Sequence, residues 1–167
     1  PAPDRIDWVS AGAAMASISV VGICIGLGVP LLSVILESRG YSATMIGLNT
    51  AFAGVAALAT APLASPLAAR TGVVPAMLIA CAIALVSFAL FPFFDSFLAW
   101  CLLRLSLHGA LSILFILSEY WMSHATPQKS RGLMLGIYAT TLSLGFAAGP
   151  LIFSWTGSGG YLPFAIA

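Results

Sequence analysis

Charge is what this sequence has least of. Its 167 residues include six Lys or Arg and five Asp or Glu, 7% in all, where a soluble domain carries roughly 25%. The net charge is +1, so there is no basic field for nucleic acid, and none is expected as a partner. Histidine occurs twice, and the three cysteines, Cys24, Cys81 and Cys101, form no Cys-x-x-Cys pair. No metal site and no cofactor are therefore expected, and the cysteines read as small buried hydrophobes. An intramembrane enzyme would need clustered His, Asp or Glu, or a Ser or Cys beside a base. Two histidines and one mid-membrane charge do not supply that, so the chain is expected not to be an enzyme.

What is present in excess is apolar surface, at 60% of residues. No soluble fold of this size hides so much of it, and the bilayer becomes the expected solvent. Five continuous runs are each long enough to cross about 30 Å of hydrocarbon as helix. They run from about Trp8 to Leu36, Ala43 to Leu63, Val73 to Phe94, Phe97 to Met122 and Leu133 to Trp155. The first is too long for a signal-peptide core and lacks a basic leader. Continuous runs exclude the alternating strands of a membrane barrel. An all-α polytopic membrane helix bundle is the expected fold. The chain opens Pro-Ala-Pro rather than Met and closes in Tyr161–Ala167, the expected start of a sixth helix cut short. A fragment of a longer chain is expected.

The connections are short, which makes neighbouring helices antiparallel. They hold nearly all the charge. One side carries Arg5, Arg70, Lys129 and Arg131, and the other carries only Arg39. The excess of Lys and Arg on one side predicts a cytoplasmic N-terminus.

Glycines four apart recur at Gly22/Gly26, Gly132/Gly136 and Gly145/Gly149, a spacing that lets membrane helices approach closely. Pro30, Pro62, Pro92 and Pro150 lie within or at the ends of spans and predict kinks or broken ends. The first and fourth runs both close on a glutamate, Glu37 and Glu119. The run after each opens with a Gly and ends near a Pro. A three-plus-three inverted repeat leaves such a trace.

Arg104 is the most informative residue, because a cation two turns inside an apolar run is costly and normally faces a cavity or a partner. At 100° per residue, Arg104, His108, Ser112, Phe115 and Glu119 share one stripe, expected to line a water-filled path. His108 has the intrinsic pKa to carry protons, or serves as a hydrogen-bonded packing histidine. Glu119 lies near the cytoplasmic end of its span. Arg70 and Arg131 are its expected partners, in a gate or a static brace. Glu37, at the opposite mouth, is a coupling carboxylate or a solvated helix end. Asn49 is expected either to bond across helices or to face the pathway.

These residues resemble the N-terminal half of a major facilitator superfamily transporter. In Ser65-Pro66-Leu67-Ala68-Ala69-Arg70-Thr71-Gly72, the residues Leu67, Ala68, Arg70 and Gly72 match the family's signature loop between helices two and three. Ser65, Ala69, Val73 and Val74 depart from it. Arg104 followed by Gly109 resembles the family's arginine-bearing fourth helix. The stretch from Glu119 to Tyr138 is similar to its junction of helices four and five, and Gly145-x-x-x-Gly149-Pro150 to the antiporter motif of exporters. The resemblance implies a secondary transporter in the inner membrane, built of two six-helix halves. It would move a small organic solute by alternating access, coupled to protons, with efflux as the suggested direction. Arg104, His108, Ser112 and Asn49 would belong to the substrate or proton pathway. Arg70, Glu119, Arg131 and Glu37 would form gates or salt bridges, and Gly72, Gly145, Gly149 and Pro150 would pack helices. The partners implied are the lipid bilayer, the solute, the proton and the missing C-terminal half. The competing expectation is a non-transporting membrane sensor, assembly subunit or scaffold.

Overall fold

A computed structural model describes residues 5–157 and Phe164. Its long helices are α1 (Trp8–Ser38), α2 (Ala43–Thr71), α3 (Val73–Leu90), α4 (Phe97–His124) and α5 (Arg131–Thr156), with a 3₁₀ turn at Phe91–Phe93 closing α3. No strand occurs among the described residues. All five helices are long and apolar enough to cross a membrane, so the chain is an integral membrane helix bundle. The expected sixth helix, from about residue 161, lies outside the described residues except for Phe164. That ring is buried and packs on Phe88 at 5.5 Å between centroids.

α1 begins where Asp7 caps it. The carboxylate accepts from the Ser10 hydroxyl at 2.7 Å and from the backbone N–H groups of Val9 and Ser10, satisfying helix-end donors. These bonds, that of the Ser10 hydroxyl foremost, hold the Asp7 carboxyl below its usual pKa. The backbone N–H of Asp7 donates to the Ala125 carbonyl at 2.9 Å. The start of α1 is thus tied to the end of α4, on one face of the bundle.

α2 corrects the sequence reading, which ends the second span at Leu63 and makes the stretch from Ser65 a loop. The helix runs on through Pro62 and Pro66 to Thr71. Each proline removes one donor from the ladder without reversing the chain. What ends α2 is Gly72, at φ +90°, a left-handed conformation that glycine adopts without penalty. Gly72, expected as a packing residue, is therefore a break between helices.

α4 lies at the centre, packed on α1, α2 and α3, while α5 packs mainly on α1. The interior is built from side chains such as Ile18, Leu27, Leu31, Phe88, Leu107 and Leu111. α1 and α4 each bury 50% of their most apolar stretch, against 11% for α2 and 17% for α5. The outer faces of α2 and α5 are consequently apolar and uncovered.

α1 and α5 meet backbone to backbone. A Cβ added at Gly22 would lie 2.6 Å from the Leu142 carbonyl oxygen, and one at Gly145 would lie 2.9 Å from that of Ser19. At Gly26 it would strike the Phe146 carbonyl, and at Gly149 the backbone of Gly26 and Leu27. The Phe146 carbonyl would ordinarily accept from residue 150, but Pro150 has no N–H to give. Gly26 presents its Cα hydrogens to that oxygen, a weak but recurrent helix–helix contact. The expected packing of Gly145, Gly149 and Pro150 is thus joined to Gly22 and Gly26. Gly132 and Gly136 have open space around them, so their spacing of four serves no close contact among the described residues. Cys81 is exposed rather than buried, because it lines an open groove between α3, α1 and α4.

Candidate functional site

The α4 stripe divides in two. Arg104 has no exposed surface, and its three guanidinium nitrogens have no hydrogen-bond partner among the described residues. Side chains on a helix lean toward its N-terminus, which directs Arg104 toward Cys101, one turn earlier. On the facing helix, Asn49 is also fully buried. Its Nδ2 donates to Cys101 Sγ at 3.4 Å, and its Oδ1 has no partner among the described residues. Asn49 thus bonds across helices, and like Arg104 it keeps polar atoms without a partner among the described residues.

His108, Ser112 and Phe115 lie in a different setting. All three are half-buried and line a groove of about 200 Å³, whose other walls are Val21 and Ile25 of α1, Ala53 and Ala57 of α2, and Leu111. Arg104 is not among these lining residues. It was expected to share one open path with His108 and Ser112, but it is sealed inside the bundle instead. His108 Nδ1 lies 3.2 Å from the Arg104 carbonyl oxygen. A carbonyl only accepts, so Nδ1 carries the proton.

The expected gate residues are not brought together in this conformation. Glu119 and Arg70 are exposed and Arg131 is half-buried, with its Nε buried and unpartnered. The ion pair formed among the described residues is instead Arg39 with Asp95 at 3.2 Å. Glu37 is exposed at the end of α1.

Two constellations escape the sequence reading. Arg39 pairs with Asp95, donates to the Phe94 carbonyl at 3.0 Å, and lies 4.6 Å from the Trp100 ring centroid. Trp100 Nε1 reaches the same carbonyl at 2.7 Å. The α1–α2 loop is therefore clasped to the α3–α4 loop. Loop parity, which puts both on one side, was the available signal. The second is Tyr138, whose hydroxyl lies 2.8 Å from Ser118 Oγ and donates to the Phe115 carbonyl at 3.2 Å. It fastens α5 to α4 at the edge of the groove.

The Major Facilitator Superfamily model matches residues 9–167. The uncharacterized MFS-type transporter YfkF of Bacillus subtilis (strain 168) is 28% identical over 150 residues, which is 90% of this chain and 38% of that protein. The chain therefore spans well under half the length of this curated relative.

Proposed function

Because this chain belongs to the major facilitator superfamily, we propose that it forms the N-terminal half of a secondary active transporter. This half works with a C-terminal half to move a small organic solute by alternating access, coupled to protons. The observation that carries this reading is Arg104. A guanidinium sealed among apolar helices without an acceptor is costly, and residues of this kind in membrane spans serve transport pathways. Its free donors suit a water or an anionic group, and Asn49 Oδ1 offers a separate acceptor. The groove itself, walled by α1, α2 and α4, offers half of a solute site near the midplane. Its volume is below the 300–1,000 Å³ or so of a complete small-molecule pocket, as expected if a second half supplies the facing wall.

The charges of Arg70, Glu119 and Arg131 are unspent in this conformation. We assign them to a gate on the cytoplasmic side, closing in another state of the cycle or against the C-terminal half. The four basic residues on that side support an N-terminus inside the cell and an inner-membrane location. The Gly145-x-x-x-Gly149-Pro150 run, packed on α1, favours efflux as the direction.

The test is gradient-driven flux of a panel of small organic solutes by the full-length protein in vesicles. Arg104→Ala is expected to abolish flux driven by a pH gradient. Normal gradient-driven flux in that variant would remove Arg104 from the coupling mechanism.

A further inference from the structure

The groove between α1, α2 and α4 has six apolar lining residues and two polar ones. The two polar residues, His108 and Ser112, are one helical turn apart, about 6 Å along the axis. Each retains a hydrogen-bonding group that the protein does not use. The Nδ1 proton of His108 is committed to the Arg104 carbonyl. Nε2 has no partner among the described residues, and no carboxylate lines the groove to hold an imidazolium. The neutral ring then presents Nε2 as a lone-pair acceptor.

Ser112, which lines the groove, differs from several serines elsewhere in the bundle. The hydroxyls of Ser17, Ser19, Ser33 and Ser143 each donate to the carbonyl four residues earlier. That of Ser112 makes no hydrogen bond among the described residues. A serine that bonds back to its own helix is satisfied; this one is available to a ligand.

Resting on the transport reading above, we propose that this groove selects a neutral, largely apolar solute carrying a hydroxyl or N–H donor. His108 Nε2 accepts from that donor, and Ser112 engages an adjacent polar atom. Neutrality follows from the walls, since no lining residue carries a formal charge, and a charged solute would lose its water without compensation. Phe115 and the aliphatic walls suit a planar ring. A site built around an unpaired acceptor rejects an analogue that lacks the donor, because the acceptor is then desolvated for nothing.

The probes are para-butylphenol, its methyl ether and para-butylbenzoate, with binding to the full-length purified protein measured by equilibrium dialysis. The phenol is expected to bind about tenfold tighter than the ether, and the benzoate more weakly than either. In His108→Phe the phenol should fall to the level of the ether, with ether binding retained as evidence of an intact groove. In His108→Gln, whose amide oxygen accepts, the preference should persist. Equal binding of phenol and ether by the native protein, or a surviving preference in His108→Phe, would overturn the proposal. If phenol binds with the stated preference but no gradient drives any flux, the transport reading fails and the selectivity stands. If flux of other solutes is driven while the phenol neither binds nor competes, the selectivity fails and transport stands.

Discussion

Under a three-plus-three repeat, the α1–α5 pair and the α2–α4 pair are equivalent, since exchanging each helix for its repeat partner converts one into the other. They are nevertheless held by opposite means. At Gly22, Gly26, Gly145 and Gly149, α1 and α5 approach backbone to backbone, against the carbonyls of Ser19, Leu142 and Phe146. α2 and α4 meet through side chains that keep polar groups in play. Thr60 Oγ1 reaches the Gly109 carbonyl at 3.3 Å, Asn49 reaches Cys101, and Arg104 and Asn49 Oδ1 stay unsatisfied. A backbone contact has no rotamers and no slack, so the first pair suits a fixed frame. The second pair retains groups whose partners can change, which is where a transport cycle has something to alter.

This contrast breaks first at Gly149. Gly149→Leu would drive a side chain into the backbone of Gly26 and Leu27, which neither helix can move aside. We expect a loss of about 3 kcal/mol or more, seen as a collapsed melting temperature or no monodisperse protein in detergent. A native-like melt would mean that the two helices are not locked. The opposite sign is expected across the other pair. Arg104→Met removes an unpartnered buried charge and should raise stability by about 1–2 kcal/mol, while the coupling role proposed for this position would be lost. A fall in melting temperature would mean that the guanidinium is paired in the membrane. The smallest effect is at Gly109, where a Cβ would sit 3.0 Å from Thr60 Cγ2. Gly109→Ala should lower stability by about 1 kcal/mol, and Thr60→Ser, which deletes that methyl group, should restore it. A double-mutant melt with no recovery would place the strain elsewhere.

The bundle was legible because hydropathy and charge act over whole spans. Five helices follow from runs of twenty or more residues, and no single side chain decides them. The glycine spacing at Gly145 and Gly149 was readable in the same way, but its partner was not. Gly22/Gly26 and Gly132/Gly136 have the same spacing, and only the three-dimensional crossing distinguishes the pair in contact from the pair in open space. α2 was misread at Pro62 and Pro66 because proline signals a missing donor rather than a chain reversal. The α4 stripe was right in angle and incomplete in depth. Periodicity places Arg104 and His108 on one face, but it cannot say that neighbouring helices cover the first and leave the second beside a groove. Arg39 was passed over because its partners, Asp95, Phe94 and Trp100, are more than fifty residues away in sequence.

The meeting of Pro150 with Gly26 also sets how far apart two helices can stand. Pro150 strips the Phe146 carbonyl of its donor, and Gly26 gives that carbonyl room. The two positions therefore answer one another across two helices. Any side chain at Gly26 is barred while the Phe146 carbonyl occupies that space. Restoring a donor at position 150 would not admit a side chain at Gly26, because the Phe146 Cα and carbonyl carbon also stand 3.0 Å from a Cβ there. The joint is lost only when the two helices move apart, so it acts as a gauge of their spacing.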